Sequence, residues 1–567
     1  MDRNAVLRWS LIALIVLAAW KWGPSLFGAK GGDVQALPAE TYVNAPGFAP
    51  DRVDAPTDGK ANEPPVEGET CTIKGNRFET DLSSRGAAVT HYRLTDAKYR
   101  ESEAADLSTT PDHERWRSLR TTFRAPNAAS ADEQFAFDRF PWKLERLGDR
   151  GCKFTYEDAK VRVVKTIAAN DRPFELDVTT DVTNLSDGTK KHVLGIGAYA
   201  FRRNHEVTGK LGRVSPFLTE LSCTHGKEVT RKGKDDFKTG WFSANDVTRY
   251  AAVTNYYFAE ALVPMGSSPA PSCSLLAEEW LSPGQAKDDD NAAHVYHAKL
   301  AYPERALAPN ETAHYEQIAF IGPKEREVLA QAADKKGLGD LINLGFFSFV
   351  AKYLVGFLVL LHTHVTTSSW GLSIILLTVC VRLLVFPLAW KSIKVTIGMR
   401  KLKPEIDQIN ATFADDMQRK NVAMMELYRK HGVNPLGGCL PQLVQMPIWF
   451  AMWTTLQTAV EMYHTKFLWF TDLSAPDRFY VLPIVLGLLM IVQQKLVPQQ
   501  GMDPMQQKMM MYMMPAIFTF MMLFLPAALG VYSLTNSVLG ILQQLIVEYV
   551  APRSEGKGEI VVKAVSS

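Results

Sequence analysis

Neither sign of charge dominates this 567-residue chain: 62 Lys and Arg stand against 60 Asp and Glu, a formal net charge of +2. So small an excess argues against a dedicated nucleic-acid binder, which presents a concentrated basic face; no sequence-specific nucleic-acid recognition is expected. Cysteine is scarce. Cys71, Cys152, Cys223 and Cys273 fall in polar sequence, Cys380 and Cys439 in apolar runs. Their spacing fits no zinc pattern, while the even number permits disulfides whose pairing stays open. The sequence has no His/Cys metal cluster, Gly-rich phosphate loop or nucleophile elbow. His91, His113, His205 and His225 are scattered and read as solvated or satisfied side chains rather than ligands or acid/base groups. No metal, cofactor or catalytic group is therefore expected.

What is present divides the chain into two physical regimes. Charged residues crowd the stretch from about Gly31 to Lys336, and long apolar runs fill Asp340 to Val550. Residues 1–28 carry Arg3 and Arg8 ahead of an apolar run from Trp9 to Trp20, and read as an uncleaved membrane anchor in preference to a signal peptide. Residues 29–69, with Pro38, Pro46, Pro50, Pro56, Pro64 and Pro65, have too little apolar surface to offset their ordering entropy and read as a flexible exported tether. Residues 70–323 alternate in short stretches such as Val161–Ile167, Phe174–Val182 and His192–Phe201, which predicts one large all-β sandwich domain.

Residues 324–369 form a connector and then an apolar stretch interrupted by Lys352, His362 and His364. Counting it as a span would put the basic segment 391–431 outside, against the bias of Lys and Arg towards the cytoplasm, so an amphipathic helix on the outer interface is expected. Residues 370–550 then hold five spans: Trp370–Trp390, Leu436 to about Tyr463, Phe479–Gln494, and two within Met509–Val547, which has no charged residue and breaks near Pro526. With the anchor this makes a membrane α-helical bundle of six transmembrane helices, with both termini cytoplasmic and a short tail at 551–567. Segment 391–431 has the periodicity of a helical hairpin, restarting at Pro404 and turning near Asp415. Its basic residues, among them Lys391, Lys394, Arg400, Lys401, Arg419 and Lys420, serve either as the topological signal and attraction to anionic lipid or as a partner-docking face.

Arg382 is out of place in its span, about eight residues or roughly 12 Å from the cytoplasmic end. An intramembrane Arg costs at least a few kcal/mol and faces an acid, backbone carbonyls or water. No Asp or Glu lies inside the assigned spans, since Glu461 and Glu548 sit at span ends. Thr378 is one turn away, Gln442 and Gln445 lie on the next span, Gln494 closes the fourth, and Tyr532, Ser533 and Asn536 sit in the last. Each alone reads as an ordinary interhelical contact; together with Arg382 they predict a wet, positively charged groove open to the cytoplasm. A solute transporter binding an anion at Arg382 is the competing reading, but internal repeats are missing.

At these residues the chain resembles the YidC/Oxa1/Alb3 family of membrane-protein insertases in its Gram-negative form. The resemblance rests on Ser373–Trp390 (SIILLTVCVRLLVFPLAW), Asn434–Cys439 continuing to Gln445-Met446-Pro447, Asp503–Lys508 and Ile541–Gln544. It implies a periplasmic β-supersandwich related to sugar-mutarotase folds, a groove arginine at Arg382 and a cytoplasmic helical hairpin needed for activity. It also implies insertion and folding of nascent integral membrane proteins, alone or with the Sec translocon and its accessory subunits. The ribosome, the signal recognition particle receptor and membrane lipids are the further expected partners. Two departures stand out: Ser533 stands where some relatives have a second aromatic after Tyr532, and the tail balances Arg553, Lys557 and Lys563 against Glu555 and Glu559, so it is not strongly basic.

Overall fold

The computed structural model describes residues 41–42, 68–496 and 508–550, apart from 100–104, 111–115, 125–132, 136–141, 208–214, 239, 245, 267–269, 283, 368, 414–415 and 433–435. The expected anchor at 1–28 and the tail at 551–567 lie outside the described residues, as does most of the expected tether. Within that tether, Thr41 and Tyr42 pair in parallel with Glu133 and Gln134. The described residues fall into two compact units, one reaching Phe346 and including Thr458–Glu461, the other holding the remainder from Phe347.

The first unit is all-β, as the alternation predicts. Val161, Val163, Lys165 and Ile167 turn inward along one strand, and Val163 and Ile167 sit in register with Val182 and Val178 of the next. A nine-stranded antiparallel sheet runs, in spatial order, through Glu228–Lys232, Glu220–His225, Ala251–Thr254, Phe258–Met265, Thr312–Pro323, Glu175–Asn184, Val161–Ala169, Gly151–Glu157 and Lys143–Arg146. An eight-stranded sheet has Lys190–Arg203, Ala293–Ala301 and Ser272–Trp280 as its long central strands, and Thr70–Gly75, Phe78–Ser83 and Ala88–Leu94 form a three-stranded meander.

Two disulfides tie these sheets together and resolve the pairing left open by spacing. Cys71 of the meander joins Cys152 of the nine-stranded sheet, and Cys223 of the nine-stranded sheet joins Cys273 of the eight-stranded one. All four are buried. Lys165 is also fully buried, with Nζ donating to the Leu119 carbonyl; burial brings its amine down to about 7. Lys299 and Lys324 are lowered to about 7 for the same reason.

In the second unit, α1 (Ser348–Leu361) ends in a π-helical turn, His362–Thr366, before α2 (Trp370–Lys401). Ser369 caps α2 by accepting from the Leu372 N–H at 3.3 Å, and the His362 ring stacks on Trp370. Two helices, α3 (Lys403–Thr412) and α4 (Met417–Lys430), follow, then α5 (Leu436–Thr458), α6 (Val481–Leu496), α7 (Met514–Met522) and α8 (Ala527–Val550). The expected restart is found at the head of α3, where Pro404 sits in the first turn. Asp416 caps α4, its Oδ1 accepting from the N–H groups of Gln418 and Arg419.

Among the described residues, three helical stretches are long and apolar enough to cross a bilayer: Ser348–Thr366, Trp370–Lys401 and Ala527–Val550. Val481–Leu496 and Met509–Met522 are apolar but shorter. The break foreseen at Pro526 falls between Met522 and Ala527. The expected amphipathic helix corresponds to α1. Ala351, Val355, Leu358 and Leu361 are buried along one stripe of α1, and its other side exposes Phe349, Lys352, Tyr353, Phe357 and Leu360.

The α6–α8 end of this unit is held by local chemistry. Asp477 caps α6, Oδ2 accepting from the Leu482 N–H at 2.7 Å and Oδ1 from the Phe479 N–H at 3.1 Å. The first N–H groups of α8 are satisfied from outside the helix: Ala527 donates to the Ala475 carbonyl and Ala528 to the Leu473 carbonyl. Gly530 of α8 makes room for the Leu482 side chain, which a Cβ there would strike.

Candidate functional site

Arg382 lies half-buried on α2 and turns its guanidinium onto α8. Nε donates to Asn536 Oδ1 at 2.6 Å, Nη2 to the Asn536 main-chain carbonyl at 2.8 Å, and Nη1 to Gln543 Oε1 at 3.2 Å. Gln543 Nε2 returns a longer bond to the Arg382 carbonyl at 3.4 Å. Among the described residues no carboxylate forms an ion pair with Arg382. Neutral amide oxygens therefore orient the cation and leave its charge uncompensated, which makes it an attractor for negative groups at reduced dielectric.

Of the other expected groove residues, Asn536 is brought directly to Arg382. Thr378 is buried, and its hydroxyl donates to the Ile374 carbonyl of its own helix at 2.7 Å. Tyr532 and Ser533 are buried, and among the described residues Ser533 Oγ has no hydrogen-bond partner. Gln445 on α5 and Gln494 on α6 are half-buried, and Gln442 lies on α5. Gln543, buried on α8, joins the site without having been singled out for it. Its spacing of seven residues from Asn536 was the available signal, since two helical turns return to the same face.

The basic residues of α2–α4 separate into two groups. Lys391, Lys394, Lys401 and Arg419 are exposed, with the Lys394 ammonium over the Trp390 ring and Arg419 beside Asp416 at 3.3 Å. Lys420 is half-exposed. Arg400 instead turns inward, to the Leu496 carbonyl and to Glu548 at 3.0 Å, and Glu548 also accepts from Gln544 at 2.7 Å. Leu402, Ile406 and Leu427 form a small core between α3 and α4, joined by Ile409, Met424 and Tyr428. Met425 is exposed.

A family model described as 60Kd inner membrane protein matches residues 361–554, and one described as YidC periplasmic domain matches residues 70–357. The membrane protein insertase YidC of Anaeromyxobacter sp. (strain K) is 33% identical over 492 residues, covering 84% of each chain. That of Nitratidesulfovibrio vulgaris (strain DSM 19637 / Miyazaki F) is 29% identical over 564 residues, covering 94% of this chain and 97% of the relative. A crystal structure of an active YidC insertase with its first transmembrane domain resolved is 19% identical, with a TM-score of 0.36, over 86% of this chain and 95% of that one. With about half the chain matched by the periplasmic-domain model and a relative one-third identical over most of both lengths, this chain belongs to the YidC family of membrane protein insertases, which are inner-membrane proteins with a periplasmic domain and not enzymes.

Proposed function

We propose that the helical unit lowers the barrier to inserting nascent membrane proteins by means of a hydrated, positively charged groove open to the cytoplasm and centred on Arg382. The observation that carries this reading is the set of neutral partners around Arg382, which leaves a full positive charge to draw in the polar or acidic flank of a client. The flank then crosses less hydrocarbon, and no bond is made or broken. The apolar remainder slides along the outside of the helices, where Met513, Met514, Ile517 and Phe520 offer an adaptable exposed surface.

In this reading the bundle has six spans including the anchor at 1–28, both termini are cytoplasmic, and α1 lies along the outer interface. Its length and hydropathy also suit a span, but a span there would move the basic segment 391–431 outside. Helices α3 and α4 form the cytoplasmic hairpin. Their exposed basic residues suit the ribosome, the signal recognition particle receptor and anionic lipid, while the Sec translocon and its accessory subunits work beside the bundle.

The test is a protease-protection assay with purified protein in liposomes and single-span clients bearing acidic or neutral translocated tails. Wild type should protect both clients above empty vesicles. Arg382→Ala should impair the acidic-tailed client more, and Arg382→Lys should keep much of the activity because the charge remains. Equal loss for both tails would overturn the electrostatic groove.

A further inference from the structure

We propose that Asn536, Gly540 and Gln543 form a cradle on α8 that aims the Arg382 guanidinium and so sets how strongly the groove favours acidic clients. This rests on the reading of Arg382 as the groove cation. The three positions follow the spacing i, i+4, i+7, which stacks them on one helix face. All three guanidinium nitrogens donate to that face: Nε and Nη2 to Asn536, through its side chain and its main-chain carbonyl, and Nη1 to Gln543. Arginine has five N–H donors. One on Nη1 and one on Nη2 remain for a client.

Gly540 provides the access. The Asn536 carbonyl points along the helix towards residue 540, and a Cβ at Gly540 would stand 3.2 Å from Arg382 Nη2 and 3.4 Å from Gln493 Nε2. Without a side chain there, the guanidinium reaches past the helix surface to a backbone acceptor. The cradle also sets depth. A long cationic side chain in a span lowers its cost by reaching for the nearest interface, and three bonds to α8 oppose that drift and hold the charge inside the bundle. Because every acceptor is neutral, the positive charge survives the anchoring. Asn536, Gly540 and Gln543 are thus positioning residues that act through Arg382.

The experiment compares insertion of acidic-tailed and neutral-tailed single-span clients by the full chain in liposomes, and reads the ratio of the two. Asn536→Asp places a carboxylate against the guanidinium and should lower the acidic-to-neutral ratio about ten-fold. Gly540→Ala should lower it several-fold although alanine is the better helix former, an outcome that a purely structural role for Gly540 does not give. In an Arg382→Ala background Gly540→Ala, which adds no charge of its own, should leave the ratio where Arg382→Ala alone puts it. If Arg382→Ala lowers the ratio but Asn536→Asp and Gly540→Ala do not, or if Gly540→Ala acts equally without Arg382, the cradle is overturned and the groove stands. If Arg382→Ala itself leaves the ratio unchanged, the groove reading fails and the cradle with it.

Discussion

Lys165 in the β domain and Arg382 in the helical unit are both cations withdrawn from bulk water, and each leans on a backbone carbonyl, of Leu119 in one case and Asn536 in the other. The resemblance stops at the proton. Lys165 can become neutral, and burial brings it to about 7, so the β domain reduces the cost of enclosing it by giving up charge. A guanidinium keeps its proton in proteins, so Arg382 can only be solvated by partners, and α8 supplies them as amide oxygens. The difference teaches where charge is incidental and where it is kept. The two units also differ in how they are tied: disulfides join the three sheets, whereas the helical unit relies among the described residues on capping and close helix contact.

The largest effect that would sharpen this contrast comes from the disulfides. Replacing either Cys71 and Cys152 or Cys223 and Cys273 by alanine should destabilise the β domain by about 2–5 kcal/mol, read by unfolding of the full chain in detergent. The unfolding of the helical unit should not respond to the same change; an equal response would break the comparison. Next is the Lys165 proton. Between about pH 7 and 10.5 the unfolded state holds a proton that the native state lacks, so Lys165 makes β-domain stability rise with pH across that window and leaves it flat below. Lys165→Met should therefore stabilise the domain most at pH 7 and below, by a few kcal/mol, and reduce the slope by about a third above about pH 8, where Lys299 and Lys324 share the same shift and the raised Glu260 has finished titrating. A smaller loss, about 1–3 kcal/mol, is expected for Gly530→Val, which drives a side chain into Leu482. The smallest is Asp477→Ala at about 1 kcal/mol, because one helix cap is lost; slower amide exchange at Leu482 would contradict it.

Much of this was legible in one dimension. Period-two alternation marked the strands at Val161 and Phe174 because each sheet has a buried face to fill. Pro404 marked a helix start and Pro526 a break for the plain reason that proline cannot donate. Arg382 stood out because nothing else in its span carries charge. Other features were not legible. Arg400 reads as a surface cation until Glu548, far along the chain, comes within 3.0 Å. Met425 follows Met424, which packs on the α3–α4 core, yet one residue of rotation about α4 exposes it. Gln543 reads as part of a motif and acquires a role only when α2 packs against α8.

By itself the sequence determined which stretches could be strands, which could enter a bilayer and where a cation would have to be solvated, since these follow from local hydropathy, periodicity and the donors each residue carries. Only the tertiary structure decided which cysteines pair, which stripe of α1 is buried, and that Arg382 is met by Asn536 and Gln543. Those outcomes depend on elements distant in the chain arriving at hydrogen-bonding or bonding distance, and that arrival is a property of packing rather than of any segment alone.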